Sequence, residues 1–304
     1  MLLDKIKFCL DKNVWSNIAN MAEENLEDFK RLIQRPEVGI YYSPVGVIEL
    51  VKGKQLERHF ESCQKEVRLA DRLTNKHMLE DPWDHVGRTV HRFLGKSFKE
   101  PDNICLKLCR AIAISNDYDE LRRKTNVDKL SSMLVDWESE WAEEINSIGN
   151  KFREDNSDEV KPKDQYRSNE SVLRRKEILW GSFCKHYSLP QEACSLNFDE
   201  AISGLHCFRY WVDYRIAYEN KVFFDNKKSR PSDYLDWEQT VYLSIMDYLL
   251  TDDRKFITIL NESKNNELER ASMRFDEFSN CLKQNNLPSR RAPDSISEIW
   301  RNIT

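Results

Sequence analysis

The chain has 304 residues and a formal net charge of −5. This length predicts one large domain or two ordinary ones, and the negative charge argues against a protein that holds nucleic acid by bulk positive charge. Only 8 residues are glycine and no G-x-G occurs, while the segment from Gly46 to Gly53-Lys54 has the wrong spacing for a phosphate-binding P-loop. Little glycine beside abundant Leu, Glu, Lys and Arg favours a helix-rich fold.

The cysteines and histidines argue against a zinc protein. The 8 cysteines include no C-x-x-C and the 6 histidines no H-x-x-x-H, so a structural zinc site is not expected. Scattered cysteines without a secretory leader predict reduced thiols and a cytoplasmic location. No run of about 18 apolar residues is present, so no membrane span is expected.

The first 53 residues alternate between strand and helix patterns. Apolar alternation over 5–10 predicts a strand, and apolar residues at helical spacing over 14–33 predict a helix. Val38–Tyr42 reads as a second strand. Ser43 and Pro44 then supply a capping hydroxyl and a first-turn proline for a helix that ends near Gly53. This order predicts an α/β fold.

The middle of the chain, residues 54–224, has a different character. It is dominated by helical periodicity, with no convincing strand, and a polar stretch at 150–176 predicts a loop or linker. A strongly aromatic helix is predicted at 205–224. Its rings could stack nucleic-acid bases, but filling the core of the helical region is the favoured interpretation.

The α/β pattern resumes near the carboxyl end. Residues 233–246 predict a helix, and Tyr248–Leu250 predicts a short buried strand followed by Thr251-Asp252-Asp253 and another helix. No clear further strand is found after Asp253, since the β-branched residues near 257–260 are ambiguous. The expected architecture is a discontinuous α/β core formed by 1–53 and 225–304, with a mostly helical insertion at 54–224.

Acidic side chains follow the predicted strands. Asp11 and Asp253 come after strands, Glu49 lies on a helix, and Asp233 and Asp236 share one helix face. The carboxyl ends of parallel strands gather in one crevice, where ligands bind. Carboxylates that converge there repel one another unless cations neutralise them, and hard oxygen ligands select Mg²⁺ or Mn²⁺.

Four of these segments resemble the motifs of PIN-domain nucleases. The segment from Phe8 to Trp15 is similar to the opening strand and acidic motif, and Glu49 follows Asp11 at a compatible spacing. Asp236 and the segment 250–256 are similar to the third and fourth motifs, and the resemblance covers about 1–53 and 228–262. Lys12 departs from the family, which has a small hydroxyl residue there, and the insertion is far longer than in small members.

The resemblance implies a PIN-like parallel sheet flanked by helices and a nuclease dependent on Mg²⁺ or Mn²⁺, most often acting on RNA. It implies hydrolysis by a water activated on the metal, which leaves a 5′-phosphate and a 3′-hydroxyl. The implied catalytic residues and metal ligands are Asp11, Glu49, Asp236 and Asp253, with Asp233 as a candidate auxiliary ligand.

Further residues are candidates for contacting substrate phosphates because they are basic or lie beside these acids. These are Lys12, Asn13, Lys228, Arg230, Thr251 and Arg254. A basic cluster is equally compatible with a solvated surface. Asn13 is expected to brace the Asp11 loop.

Each acid also has a structural interpretation. Asp11 could cap the following helix, Glu49 could be an ordinary boundary residue, and Thr251 or Asp252 could cap the helix after the last strand. Asp233 could be an N-cap with Asp236 as its capping-box partner.

Three other functions remain open from the sequence. A non-catalytic PIN-like adaptor would use the insertion as its working surface, and a DNA nuclease acting on single strands or flaps would use a similar acid cluster. A purely helical scaffold would leave the strand and acid motifs unexplained. The insertion is a candidate site for a protein partner, and a homodimer is a further hypothesis.

Overall fold

The computed structural model describes residues 5–52, 55–74, 78–99, 104–155, 169–225, 227–263 and 265–289. Its internal contacts divide the chain into two compact units. Unit 1 comprises Met1–Asp81, Asp102–Val135 and Tyr242–Thr304, and unit 2 comprises Pro82–Pro101 and Asp136–Val241.

Unit 1 has a parallel sheet flanked by helices. Its strands are β1 (Ile6–Leu10), β2 (Val38–Tyr42), β3 (Tyr248–Leu250) and β4 (Ser272–Met273). Its helices before unit 2 are α1 (Lys12–Ala19), α2 (Glu23–Ile33), α3 (Pro44–Val51), α4 (Gln55–Arg58) and α5 (Phe60–Leu73). The others are α7 (Ile104–Ile114), α8 (Tyr118–Lys124), the first part of α9 (Val127–Asp155), α15 (Arg254–Glu262), α16 (Asn266–Glu269) and α17 (Phe275–Lys283).

The sheet has the strand order β2-β1-β3-β4, with all neighbours parallel. Leu10 pairs with Tyr42 on one side and with Leu250 on the other, so three strands end at the same level. A single parallel bridge joins Tyr42 to Met78 beyond β2. The α/β expectation is therefore confirmed at the level of a parallel sheet covered by helices.

The strands are buried because helices cover the sheet. Strands in such a sheet favour continuous apolar sequences over alternating ones. Phe8 and Leu10 of β1 are completely buried, and the Phe8 ring contacts those of Tyr248 and Phe278. The strands predicted at 5–10, Val38–Tyr42 and Tyr248–Leu250 are confirmed. Strand β4 was missed, because two residues are too short for a periodic signal.

Two helix predictions need correction. The helix expected over 14–33 is two helices, because α1 ends at Asn20, whose backbone N–H donates to carbonyls of the last turn. The helix expected over 233–246 is α-helical only to Gln239 and continues as a 3₁₀ turn over Thr240–Ser244. The cap at Ser43 is confirmed, since its hydroxyl accepts from the Val45 N–H, and α3 ends at Val51, while Gly53 lies outside the described residues.

The unit boundaries also differ from those expected. Residues 54–81 and 102–135 belong to unit 1, whereas 225–241 belong to unit 2. The reason is packing: α5 and α7 bury Val67 and Ile112 in the same apolar cluster as Phe8 of the central strand. Helical periodicity shows that such a helix has an apolar face, but it does not show which neighbour covers that face.

Unit 2 is helical. Its helices are α6 (Pro82–Phe93), the remainder of α9, α10 (Asn169–His186), α11 (Gln191–Cys194), α12 (Phe198–Gly204), α13 (His206–Phe224) and α14 (Asp233–Gln239). The prediction that the aromatic helix fills a core is confirmed, because Phe208, Trp211 and Tyr218 of α13 are buried.

The polar stretch expected at 150–176 is largely helical where it is described. Helix α9 continues to Asp155 and α10 begins at Asn169, while 156–168 lie outside the described residues. Phe152 stacks on Phe223, and the Arg153 guanidinium donates to the carbonyl of Val222 at 2.8 Å. These contacts to α13 hold the end of α9 in place despite its polar composition.

Two helical glycines of unit 2 give opposite predictions. A Cβ on Gly149 would lie 3.0 Å from Cδ1 of the buried Phe223, whereas a Cβ on Gly181 would meet no atom within 4 Å. Alanine improves helix propensity by about 1 kcal/mol, but overpacking costs about 1–3 kcal/mol. We expect Gly181→Ala to raise the free energy of unfolding by up to about 1 kcal/mol and Gly149→Ala to lower it. Urea titration of both variants tests this, and equal shifts of the same sign would contradict it.

None of the helices in the described part of the chain combines the length and apolar character needed to cross a membrane.

Candidate active site at the carboxyl edge of the sheet

Asp11 lies directly after the central strand β1 and is 6% exposed. It is the N-cap of α1, because its Oδ1 accepts from the Lys12 N–H at 2.7 Å. Its other oxygen, Oδ2, accepts from Asn13 Nδ2 at 2.6 Å and from the Thr251 hydroxyl at 2.7 Å. Asp11 therefore does cap α1, and the same carboxylate links the end of β1 to the end of β3 through Thr251.

Thr251 connects the loops that follow β1 and β3. Its buried hydroxyl donates to Asp11, and its Oγ1 accepts from Asn13 Nδ2 at 3.2 Å and from the Asp253 N–H at 3.1 Å. Asn13 also accepts the Asp252 N–H on its Oδ1 at 3.1 Å. Asn13 therefore braces the Asp11 loop, as its position after the strand suggests, and both sequence motifs share one hydrogen-bond network.

Asp253 is the N-cap of α15 and is half-buried. Its Oδ1 accepts from the backbone N–H groups of Lys255 at 2.7 Å and Phe256 at 3.0 Å. No donor among the described residues reaches its Oδ2. The carboxylate therefore lies at a positive helix terminus with one oxygen open to a ligand.

Asp252 has a different role from its neighbour. Its Oδ2 accepts from Asn17 Nδ2 at 2.9 Å, and its Oδ1 accepts from the Phe275 N–H at 3.2 Å. These bonds join α1 and the start of α17 to the loop after β3. The helix-capping role considered for Thr251 or Asp252 belongs instead to Asp253, one residue further along.

Glu49 and Glu66 lie on the β2 side of the edge. Glu49 is half-buried on α3, and both carboxylates act electrostatically on Tyr42, whose pKa is raised well above its usual value chiefly by burial. Glu66 on α5 is 7% exposed, and its Oε2 has no hydrogen-bond partner among the described residues. Burial raises the pKa of Glu66, while a hydrogen bond from Ser16 and the charge of Lys12 act in the opposite direction.

Two of the expected phosphate-binding residues begin helices at this edge. Lys12 is half-buried in the first turn of α1. Burial raises the pKa of the nearby Cys63 thiol to about 11, although the charge of Lys12 acts in the opposite direction. Arg254 is exposed in the first turn of α15. Both side chains follow an acidic N-cap directly.

The remaining expected site residues belong to unit 2. Asp233 is 3% exposed, and its Oδ2 accepts from the Tyr218 hydroxyl at 2.7 Å and the Arg230 N–H at 2.9 Å. The N-cap of α14 is Ser232, without a side-chain capping bond, so the capping box expected for Asp233 and Asp236 does not form. Asp236 is half-buried in the first turn of this helix, and the side chains of Lys228 and Arg230 are exposed.

The carboxylate oxygens at this edge are the donor type that a divalent cation prefers, but few of them lie together. Within the described ranges, no three His, Cys, Asp or Glu side chains are grouped so as to hold a metal ion. Mg²⁺ commonly uses one or two carboxylates and completes its shell with water and substrate phosphate. Asp11 and Asp253, linked through Thr251, match that smaller set.

Sequence reasoning missed Asn17 and Glu66. Asn17 follows Asn13 by one helical turn, so the two amides share the face of α1 that meets the Thr251 loop. Glu66 interrupts the apolar face formed by Cys63, Val67 and Ala70 of α5. A charged residue within an apolar helix face was the sequence signal that could have identified Glu66 as a buried acid.

Comparisons with protein-family models, with curated proteins and with solved structures give no match for this chain.

Proposed function

We propose that unit 1 is a PIN-like nuclease core that hydrolyses RNA with the help of Mg²⁺ or Mn²⁺. The observation that carries the proposal is the Asp11–Thr251–Asp253 connection: two acids follow adjacent parallel strands, and the Thr251 hydroxyl donates to the Asp11 carboxylate and accepts from the backbone N–H of Asp253. Ligand sites of open α/β sheets form at such carboxyl ends. The resemblance to nuclease motifs supports RNA as the substrate class.

The sheet supports the same proposal. The resemblance leads us to expect a parallel sheet with a strand after Asp253, and β4 is a parallel strand in that position. Asp11 lies in the loop after β1, and Asp253 lies in the loop after β3. The β-branched residues near 257–260, which the sequence left ambiguous, belong to helix α15, and β4 lies further along the chain.

In this proposal, each residue has a defined task. Asp11 and Asp253 supply negative oxygens, while Thr251 and Asn13 fix the orientation of Asp11 through their hydrogen bonds. Lys12 and Arg254 contact substrate phosphates from the starts of α1 and α15. A bound Mg²⁺ or Mn²⁺ would supply positive charge against the phosphodiester and lower the pKa of water.

The test is cleavage of labelled total RNA and of single-stranded DNA by the purified chain. We expect RNA cleavage with Mn²⁺ or Mg²⁺ and none with EDTA. Asp253→Asn should lower the rate by about 100-fold or more, since it removes the charge opposite the metal, while asparagine still caps α15.

The matched control is Asp117→Asn. Asp117 is also an N-cap in unit 1, accepting the Glu120 N–H at 2.7 Å, but it caps α8. The Asp117→Asn variant should retain full activity. Cleavage that persists in folded Asp253→Asn would contradict the proposal, and metal-dependent cutting of DNA alone would favour the DNA-nuclease alternative.

A non-catalytic adaptor is the second candidate function. Helix capping explains both carboxylates without any chemistry, and no three acids converge in the described chain. The two candidates differ in two readouts, RNA cleavage and Mn²⁺ binding. An adaptor neither cleaves RNA nor shows saturable Mn²⁺ binding that is weakened by Asp253→Asn.

A further inference from the structure

A groove lies among three helices of unit 1. One wall is α7, and the other is formed by the end of α8 and the first two turns of α9. Its volume is about 450 Å³. Leu108, Val127 and Leu130 line its floor, and all three belong to the apolar core of unit 1 or pack against it.

Two apolar side chains at the groove are unusually exposed. Ile104 is 61% exposed at the start of α7, and Met133 is 37% exposed on α9. Ile104 and Ala111 lie seven residues apart on α7, which corresponds to about 10 Å along the helix. The groove therefore presents an apolar strip two helical turns long that the described part of unit 1 leaves open.

The rim of the groove is positively charged. Lys107, Lys124 and Lys129 line it from three different helices, and none of the described lining residues carries a carboxylate. Lys124 pairs with Glu120 on its own helix, whereas Lys129 is exposed in the first turns of α9. Positive rims around an apolar floor complement a ligand that is apolar on one side and acidic along its edges.

We propose that this groove binds an amphipathic helix of a partner protein, with acidic residues beside its apolar stripe. A helix placed between α7 and α9 would insert side chains at i, i+3 or i+4, and i+7 into the floor, which is the helix-in-groove mode of recognition. Its acidic residues would contact the three lysines. The floor offers aliphatic side chains and no aromatic ring for base stacking, which disfavours single-stranded nucleic acid as the occupant.

The test uses a fluorescent amphipathic peptide of about 18 residues, long enough for several helical turns. Leucines occupy its i, i+3, i+4 and i+7 positions, with glutamates beside them. A matched peptide carries lysines in place of the glutamates. We expect the full chain to bind the acidic peptide at least about tenfold more tightly than the basic one, as anisotropy would show.

Two variants separate this groove from the rest of the surface. The double variant Lys107→Glu, Lys129→Glu should lower affinity for the acidic peptide by about tenfold or more, and Met133→Gln should weaken it by about threefold. The charge-matched control is Lys65→Glu, Lys283→Glu, which alters exposed lysines of α5 and α17 and should change nothing.

Equal affinity for the two peptides, or an unchanged affinity in the groove variant, would overturn the proposal. If the groove variant instead loses binding of a labelled single-stranded RNA that the acidic peptide does not displace, the groove is a nucleic-acid surface. Cleavage of RNA does not enter these readouts, so this proposal and the nuclease proposal fail independently.

Discussion

Asp11→Asn should abolish metal-dependent RNA cleavage while leaving the chain folded. Asp11 is buried directly after the central strand, and both its oxygens accept hydrogen bonds. Replacing one oxygen with an amide NH₂ removes the negative charge and keeps one acceptor on a residue type that is tolerated at N-caps. We expect the rate to fall by about 100- to 1,000-fold, because the variant lacks one of the two carboxylates proposed to hold the divalent cation.

The same substitution should cost little stability. The amide oxygen can occupy only one of the two positions; if it keeps the bonds from Asn13 and Thr251, the bond from the Lys12 N–H is lost, at about 1 kcal/mol. Urea unfolding measures this cost, and the activity assay must run well below the unfolding midpoint. Thr251→Val provides an independent check, because it removes the hydroxyl that orients Asp11 without changing charge.

The two variants should differ in their metal dependence. Thr251→Val retains both carboxylates, so raising the Mn²⁺ concentration should recover part of its activity. Asp11→Asn lacks a ligand and should not recover. A folded Asp11→Asn protein that cleaves RNA at the wild-type rate would reject the assignment of Asp11 to catalysis.

Glu238→Ala should destabilise unit 2 by about 3 kcal/mol or more, since it removes the partner of the buried Tyr187 hydroxyl and of the half-buried His186 ring. Glu238 is completely buried. Its Oε2 accepts from the Tyr187 hydroxyl at 2.8 Å, and its Oε1 lies 2.8 Å from His186 Nε2. Truncation would leave the buried Tyr187 hydroxyl without this partner. Tryptophan fluorescence during urea unfolding is a suitable measurement, because the Trp237 ring lies 5.7 Å from that of His186.

The His186–Glu238 pair also predicts a pH dependence. Burial alone lowers the pKa of His186, but the charge of Glu238 and its hydrogen bond outweigh this, so the pKa is raised in the folded state. A raised pKa stabilises the fold fully below the unfolded value of about 6.5, and that stabilisation is lost as the pH rises through the folded value. Wild-type stability should therefore fall as the pH increases above about 6.5.

Glu238→Gln separates charge from hydrogen bonding. It keeps one acceptor but removes the charge that raises the pKa of His186, so the fall in stability above about pH 6.5 should flatten. The control is Glu192→Gln, which removes the charge of an exposed pair with Lys96 and should leave the fall in stability above about pH 6.5 unchanged. An unchanged pH profile in Glu238→Gln would contradict this account.

Local patterns explain which parts of the fold could be predicted. The strands that contain Phe8, Ile40 and Leu249 are apolar runs bounded by polar residues, and Ser43 with Pro44 marks a helix start. These signals depend on neighbouring residues only, because a strand period and a helix cap form within one short segment. The two-residue strand at Ser272 has no such period and is a strand only because its backbone pairs with β3.

The candidate site was partly predictable for the same reason. Asp11 and Asp253 follow strands, so parallel pairing places them at one edge of the sheet. The sequence could not show that Asn17 would bond to Asp252, or that Glu66 would be buried beside Tyr42 with an unpartnered oxygen. Those outcomes depend on how α1 and α5 pack against the sheet.

The sequence by itself determined three of the four strands, the helical character of the middle, and the acids that follow β1 and β3. Only the tertiary structure decided that α5 and α7 belong with the sheet, that Asp233 and Asp236 belong to unit 2, and that Thr251 bonds to both the Asp11 carboxylate and the Asp253 backbone. The physical reason is that periodicity and capping are local interactions, whereas the partner of an apolar face or a polar side chain is chosen by packing between segments distant in sequence.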